Sequence, residues 1–287
     1  MAKLVLYTPE ASDLAEGLPG AVQIEARRFP DGESYARIPA ACNGKDVLII
    51  HRCYPEPNRG LAELFIILDA IRQQSPKSLR AFVPYLPYAR MDKQVKEGEA
   101  ISADTVCRLM QKLGCDELIT LDCHFIKTGA GVHERAGLKI RNITASDALL
   151  AELKAKAPNA LVISPDQGAS YMAQGGASMK KVRADYDKGS DSAYRKIEKL
   201  EADFDASGKD IIIIDDMVST GSTMIRAVKT LKEAGAKKIL CAATHGLFLN
   251  GALDKLKQAG AEEVICTSSI RSVAANVSAA SLLEGAL

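Results

Sequence analysis

Short runs of apolar residues alternate along this chain with segments whose apolar positions recur every three to four residues, and turn residues separate the two kinds. Residues 3–7, 47–51, 79–83 and 117–121 read as strands, with helical spacing over 60–74 and 102–113 between them. A second series starts near Thr144, with helical spacing over 145–157, 224–234 and 249–259 and strand-like runs at 161–164, 211–214, 239–244 and 264–267. The strand-like runs are apolar throughout rather than alternating, so each predicts a strand covered on both faces. Strands and helices in strict alternation predict α/β architecture, two mostly parallel sheets flanked by helices.

The region 141–144 is the natural boundary, which divides the chain into 1–143 and 144–287. It contains no Pro/Ser-rich linker. The tail, 272–287, is rich in small residues and is a candidate to dock back on the first domain. An echo joins the two halves. Leu109–Cys115 leads through a glycine into a strand and then His124, as 230–236 leads into a strand and His245, and in each case the histidine lies ten positions after the glycine. Duplication would produce this pattern, and so would any pair of ordinary α/β units. His245 matches no motif and reads as structural.

Composition narrows the class. The chain has 287 residues, enough for two cored domains, and is 47% hydrophobic and 25% charged. A net charge of +1 argues against nucleic acid or a bulk membrane surface as the main partner. Seven cysteines, an odd number with no C-x-x-C spacing, predict buried reduced thiols rather than a disulfide frame or a zinc site. No apolar stretch approaches the roughly 20 residues of a membrane span, and the chain enters its first strand at once, so a cytoplasmic location is expected.

The chemistry concentrates where four isoleucines, Ile211 to Ile214, run into Asp215, Asp216 and then Ser219-Thr220-Gly221-Ser222-Thr223. Open α/β sheets bind ligands at the C-terminal ends of their strands. A small-residue loop opening a helix there turns backbone N–H groups and the positive end of the helix dipole toward an anion. Gly221 lets the backbone approach a phosphate, the four hydroxyls donate, and the aspartates accept from a vicinal diol or bind a hydrated metal. The plainer alternative is a strand followed by capping aspartates and a polar turn. The full order of strand, acid pair, loop and helix favours a phosphorylated sugar.

These residues resemble the PRPP-binding loop of type I phosphoribosyltransferases and of the ribose-phosphate diphosphokinases, the PRPP synthetases. Four more segments, in the family's order, resemble the diphosphokinases specifically. Arg28-Phe29-Pro30-Asp31-Gly32-Glu33 is by itself a tight turn. It is similar to the loop that the family lends to a neighbour's ATP site, which implies that Phe29 stacks on adenine, that Asp31 and Glu33 read its edge, and that the protein is a homo-oligomer. The stretch 84–93, containing Arg90, Met91 and Asp92, is similar to the ATP loop, with Met91 where a glutamine is usual. Thr120-Leu121-Asp122-Cys123-His124 is similar to the motif whose histidine serves the magnesium of MgATP, with Asp122 behind it; the Gln-Gly-Phe-Phe segment common after it is missing. Finally, Asp166 in 164–169 resembles the family's metal and ribose aspartate, and Lys181 and Arg183 its Lys-x-Arg pair, on a polar loop able to close over transferring phosphates.

The resemblance implies two phosphoribosyltransferase-type domains and the synthesis of PRPP and AMP from ribose 5-phosphate and ATP with Mg²⁺. Under it, Lys181 and Arg183 are catalytic. Phe29, Asp31, Glu33, Arg90, Asp92 and His124 hold ATP, and Asp215, Asp216 and residues 219–223 hold ribose 5-phosphate. His124 and Asp166 serve the metal. A phosphoribosyltransferase consuming PRPP, or a catalytically silent regulatory homologue, are the other readings, the latter favoured by Met91 and the altered stretch after His124.

Overall fold

The computed structural model describes residues 3–174, 176–182, 199–201 and 204–287, with the backbone alone for the strands at 180–182 and 199–201. The chain forms two compact units. One holds the residues up to Ala145 with Ser268–Arg271 and Ser278–Leu287; the other holds Ser146–Thr267 with Ser272–Val277.

The first unit runs β1 (Lys3–Tyr7), β2 (Val22–Gln23), β3 (Glu25–Arg28), β4 (Ser34–Arg37), β5 (Asp46–Ile50), α1 (Pro57–Arg72), β6 (Ser78–Phe82), α2 (Ser102–Lys112), β7 (Glu117–Leu121), β8 (Gly131–Arg135) and β9 (Leu138–Ile143). Its main sheet has the order β2-β1-β5-β6-β7-β9-β8, parallel except for β8. Successive side chains on a strand face opposite ways, and here both faces are covered. Leu4, Leu6, Val47, Ile49, Leu79, Ala81 and Leu118 pack with α1 and α2, whereas Val5, Leu48, Ile50, Phe82, Ile119 and Leu121 pack with Ala11, Leu14, Ala279 and Leu283. That double burial is why these strands carry no polar alternation. β3 and β4 form a separate antiparallel hairpin whose second strand lies against α1.

The second unit runs α3 (Ser146–Lys154), β10 (Leu161–Ser164), β11 (Ala177–Ser178), β12 (Lys180–Val182), β13 (Lys199–Glu201), β14 (Asp210–Val218), α4 (Ser222–Glu233), β15 (Lys238–Gly246), α5 (Ala252–Ala259), β16 (Glu263–Thr267) and β17 (Ala275–Val277). Its sheet, β11-β10-β14-β15-β16-β17, is wholly parallel. Ile211 and Ile213 face α4 and α5. Ile212 and Ile214 face the other way and are equally buried, on the side where α3 packs. The alternating strands and helices predicted from the apolar pattern are therefore present in both units.

After β17 the chain returns to the first unit as α6 (Ala279–Glu284), capped by Ser278. Arg52, buried in this unit, fastens the neighbouring segment. It pairs with both carboxylate oxygens of Asp13, at 2.6 and 2.9 Å, and donates to the carbonyls of Glu10, Ser268 and Ser269. All seven cysteines are buried and free, and burial pushes the Cys115 and Cys241 thiols up to about 12. No described helix is long and apolar enough to cross a membrane.

Candidate active site

In the second unit, β14 is longer than the isoleucine run implies and continues through both aspartates to Val218. Helix α4 begins at Ser222, two residues before the predicted start, because Gly221 is its N-cap. Gly221 has φ 74°, and its carbonyl accepts the first helical bond from Ile225 N–H at 2.8 Å. A Cβ there would lie 3.1 Å from that of Ala252 and 3.2 Å from Ile225 Cδ1, so the left-handed backbone favours glycine and the space beside it is tight. Thr220 and Ser222 are exposed, and Ser219 and Thr223 are half-buried. The first-turn N–H groups of α4, which lack intrahelical acceptors, open onto this loop.

Asp166 lies beyond the end of β10, the strand next to β14, and caps a 3₁₀ turn over Gln167–Ala173 by accepting from Gly168 N–H at 2.8 Å. Asp215 Oδ1 accepts from Asp216 N–H at 2.9 Å. Burial, together with the charges of Asp216 and Asp166, holds the Asp215 carboxyl well above the usual carboxylate range. Three acids at adjoining strand ends thus repel one another, which suits a cation or the hydroxyls of a diol. Among the described residues no group of three or more His, Cys, Asp or Glu is placed to hold a metal ion by itself. An open, all-oxygen set is the kind magnesium shares with a substrate phosphate.

One support of this loop carried no recognisable sequence signal. Leu247 and Phe248 N–H both donate to the Val218 carbonyl at 3.0 Å, and Leu249 N–H to that of Ser219 at 2.9 Å. The predicted helix at 249–259 therefore begins only at Ala252, since Phe248 (φ 45°) and Asn250 (φ 55°) are left-handed. A Cβ on Gly246 would come within 2.4 Å of the Phe248 ring, so the backstop requires a glycine at its root. Lys181 pairs with Leu200 through the β12–β13 backbone; its side chain, and Arg183 altogether, lie outside the described residues.

In the first unit, the 84–93 loop and the His124 turn leave adjacent strand ends, β6 and β7, and share the Pro84 carbonyl, which accepts from Leu121 N–H at 3.1 Å and Thr120 Oγ1 at 3.2 Å. Arg90 is exposed, Met91 is 43% exposed, and His124 is half-buried. Asp92 is half-buried, and its carbonyl accepts from Arg135 Nη2 at 2.6 Å. Arg135, which no sequence pattern singled out, also bonds Asp104 at 2.7 Å and lies over the Phe125 ring at 4.3 Å. Asp122 is fully buried at φ 32° and accepts from Ala145 N–H at 2.9 Å.

Phe29 stands at the tip of the β3–β4 hairpin, apart from the main sheet. The turn is closed by Phe29 N–H to the Glu33 carbonyl at 2.8 Å and by Glu33 N–H to Asp31 Oδ1 at 3.1 Å. Asp31 and Glu33 are exposed. Phe29 meets Tyr35 edge-on with centroids 5.9 Å apart, and Arg27 lies over both rings, at 5.1 and 4.5 Å. The predicted turn is thus presented on an aromatic–cation stack.

Two family models match the chain: the N-terminal domain of ribose phosphate pyrophosphokinase over residues 15–114 and the phosphoribosyl synthetase-associated domain over 192–282. The ribose-phosphate pyrophosphokinase of Sulfurisphaera tokodaii is 33% identical over 82% of this chain and 80% of its own length. That of Methanobrevibacter smithii is 32% identical over 92% and 91%. A crystal structure of phosphoribosylpyrophosphate synthetase from Mycobacterium smegmatis superposes with a TM-score of 0.82 at 30% identity, covering 99% of this chain and 97% of that one.

Proposed function

This chain belongs to the ribose-phosphate pyrophosphokinase family, and on that premise we propose that it transfers the β,γ-diphosphoryl group of MgATP to the 1-hydroxyl of ribose 5-phosphate, giving PRPP and AMP. The observation that carries this reading is the acid pair running directly into the glycine-capped loop. Residues 219–223 hold the 5-phosphate on backbone and hydroxyl donors, and Asp215 and Asp216 hold the ribose diol. The 1-hydroxyl attacks the β-phosphorus in line and AMP leaves. The protein contributes mainly by positioning and charge neutralisation.

Mg²⁺ is the cofactor of this reading; it would offset charge on the β- and γ-oxygens, with Asp166 and His124 helping to hold it. The raised carboxyl of Asp215 supports a cation among these acids. His124, a nitrogen donor, suits a water-mediated or phosphate contact better than direct binding to a hard cation. Lys181 and Arg183 stabilise the transferring group. Arg90 and Asp92 serve the ATP phosphates, while Phe29, Asp31 and Glu33 receive the adenine of a neighbouring subunit. The division into an ATP-loop domain and a ribose-phosphate domain, the homo-oligomer and a cytoplasmic location belong to the same proposal, as does the expectation that neither nucleic acid nor membrane is a partner.

The direct test incubates the protein with ribose 5-phosphate and MgATP and follows AMP and PRPP. Equal release of both supports the reading. Formation of neither favours the silent homologue, and PRPP consumption that depends on an added nucleobase favours the transferase. Lys181→Ala should lower kcat far more than it raises the KM for ATP, because its contact strengthens only as the diphosphoryl group moves.

A further inference from the structure

The turn that carries His124 is held in a conformation the chain would not adopt by itself. Asp122 has φ 32°, a left-handed conformation that aspartate tolerates better than most residues but that still costs energy and is held here by its neighbours. Those neighbours lie at the end of β9. Asp122 N–H donates to the Ile143 carbonyl at 2.9 Å, and its carboxylate accepts from Ala145 N–H at 2.9 Å. Between these backbone contacts lies one side chain, Asn142, 2% exposed. Its Oδ1 accepts from Cys123 N–H at 2.8 Å and its Nδ2 donates to the Gly129 carbonyl at 2.8 Å.

Asn142 thus bridges both ends of the segment on which His124 sits. Residues 123 and 129 bracket the half-buried imidazole and the Phe125–Thr128 stretch, within which Ile126 N–H donates to the Cys123 carbonyl at 2.7 Å. Asn142 is placed for this by register, since it lies opposite Thr120 in the parallel β7–β9 pair. Its side chain therefore reaches the turn just past the end of β7. An amide suits both contacts, because it offers an acceptor and a donor on one planar group and carries no charge into a buried site. Removing it takes the amide away from the buried Cys123 N–H and the buried Gly129 carbonyl, and loosens the left-handed turn between β7 and residue 124.

We infer that Asn142 is a positioning residue for His124: it sets where the imidazole stands relative to the nucleotide phosphates without touching the nucleotide. This deepens the role given to His124 above and rests on it.

The test is a double-mutant cycle on the full-length protein. It is read by calorimetric binding of MgATP without ribose 5-phosphate, and by kcat and KM for MgATP. Asn142→Ala should weaken MgATP binding and lower kcat/KM by roughly ten-fold, the low end of the loss that follows removal of an outer support, because Asn142 holds the backbone on either side of His124 and not the imidazole. Asn142→Asp, which keeps the acceptor for Cys123 but sets a carboxylate oxygen against the Gly129 carbonyl in a buried site, should recover none of that loss at neutral pH. In a His124→Ala background the same Asn142→Ala change should cost less than about two-fold, since a residue acting through His124 has nothing left to position.

A folded Asn142→Ala that binds MgATP as wild type does, or a loss of equal size in both backgrounds, overturns the inference. Should the alanine variant not fold, Asn142→Ser withdraws the amide while leaving a polar group; it enters the same cycle, with the same losses expected and the same results counting against the inference. A His124→Ala protein with unaltered MgATP binding and turnover refutes the assignment of His124 itself, and this inference with it. A normal deficit in His124→Ala beside an unaffected Asn142→Ala refutes the inference alone.

Discussion

At the scale of single residues, two buried groups tie the molecule to pH in opposite senses. His51 is 1% exposed, its Nε2 bonded to the Gly60 carbonyl at 2.8 Å and its Nδ1 lying 3.3 Å from Thr8 Oγ1 and 3.8 Å from Glu63, itself 2% exposed. Burial lowers the imidazole to about 4, while burial and the charge of Glu10, only partly offset by Arg59, raise the Glu63 carboxyl to about 7. The imidazole's contribution to stability is present above the ordinary histidine value of about 6.5 and is lost as pH falls toward 4. Glu63's is present below about 4.3 and is lost as pH rises through 7. Between about pH 4.3 and 6.5 the two slopes, each up to about 1.4 kcal/mol per pH unit, cancel. Denaturant titrations in that window should therefore diverge, with Glu63→Gln gaining stability relative to wild type as pH rises and His51→Gln losing it; parallel curves would refute the pairing. Asp215 is the site's counterpart. Its raised carboxyl makes the ligand-free protein less stable as pH climbs past the aspartate range, so Asp215→Asn should raise the neutral-pH unfolding midpoint by roughly 2–4 °C while abolishing ribose 5-phosphate binding, as paired thermal scans and calorimetry would reveal.

At the scale of elements, the phosphate loop is a strand end and a helix start clamped from behind, and the clamp predicts more than the loop does alone. Gly221→Ala forces a left-handed alanine, costing about 1–2 kcal/mol, and pushes Cβ against Ala252 and Ile225. Its KM for ribose 5-phosphate should rise at least ten-fold with the KM for MgATP nearly unchanged, and a rise in both would mean that the unit rather than the loop had been damaged. The strand–acid–acid–loop–helix order was legible because each part has a local signature: an apolar run, two carboxylates, a small-residue loop and helical spacing. The Gly246–Leu249 backstop was not, because its work is done by backbone N–H groups of a segment whose apolar residues read as the start of a helix. β8 and β9 left no such signature either. β8 is the sheet edge, which leaves Val132 53% exposed, and β9 beside it alternates buried Leu138 and Ile140 with Lys139 and Arg141, which surround buried Glu117, so no apolar run marks either. The β3–β4 hairpin was legible only as its turn, because its strands are short and charged and only β4 packs against α1.

At the scale of the whole molecule, two units with separate cores follow from the repeated alternation of strand and helix, which the apolar pattern reveals without any motif. The return of α6 to the first core, for which the small-residue tail was a candidate, is not fixed by that alternation, since Ala279 and Leu283 find their partners in Val5, Leu14 and Ile50 far back along the chain. The assembly lies beyond a single chain, and the hairpin supplies the means to test it. Asp31 and Glu33 are exposed at its tip, and Phe29 is presented on the Arg27–Tyr35 stack rather than buried in the core of its own unit. If that tip completes the ATP site of a neighbour, Phe29→Ala and Asp215→Asn disable different halves of a shared site. Each protein alone should be nearly inactive. Mixed one to one and allowed to exchange subunits, random pairing would put an intact Phe29 beside an intact Asp215 in about a quarter of the sites, and PRPP synthesis should return to about that fraction of wild type. If the hairpin serves its own chain, every site in the mixture carries one lesion. Activity would then stay at the level of the separate variants, however completely the subunits exchange.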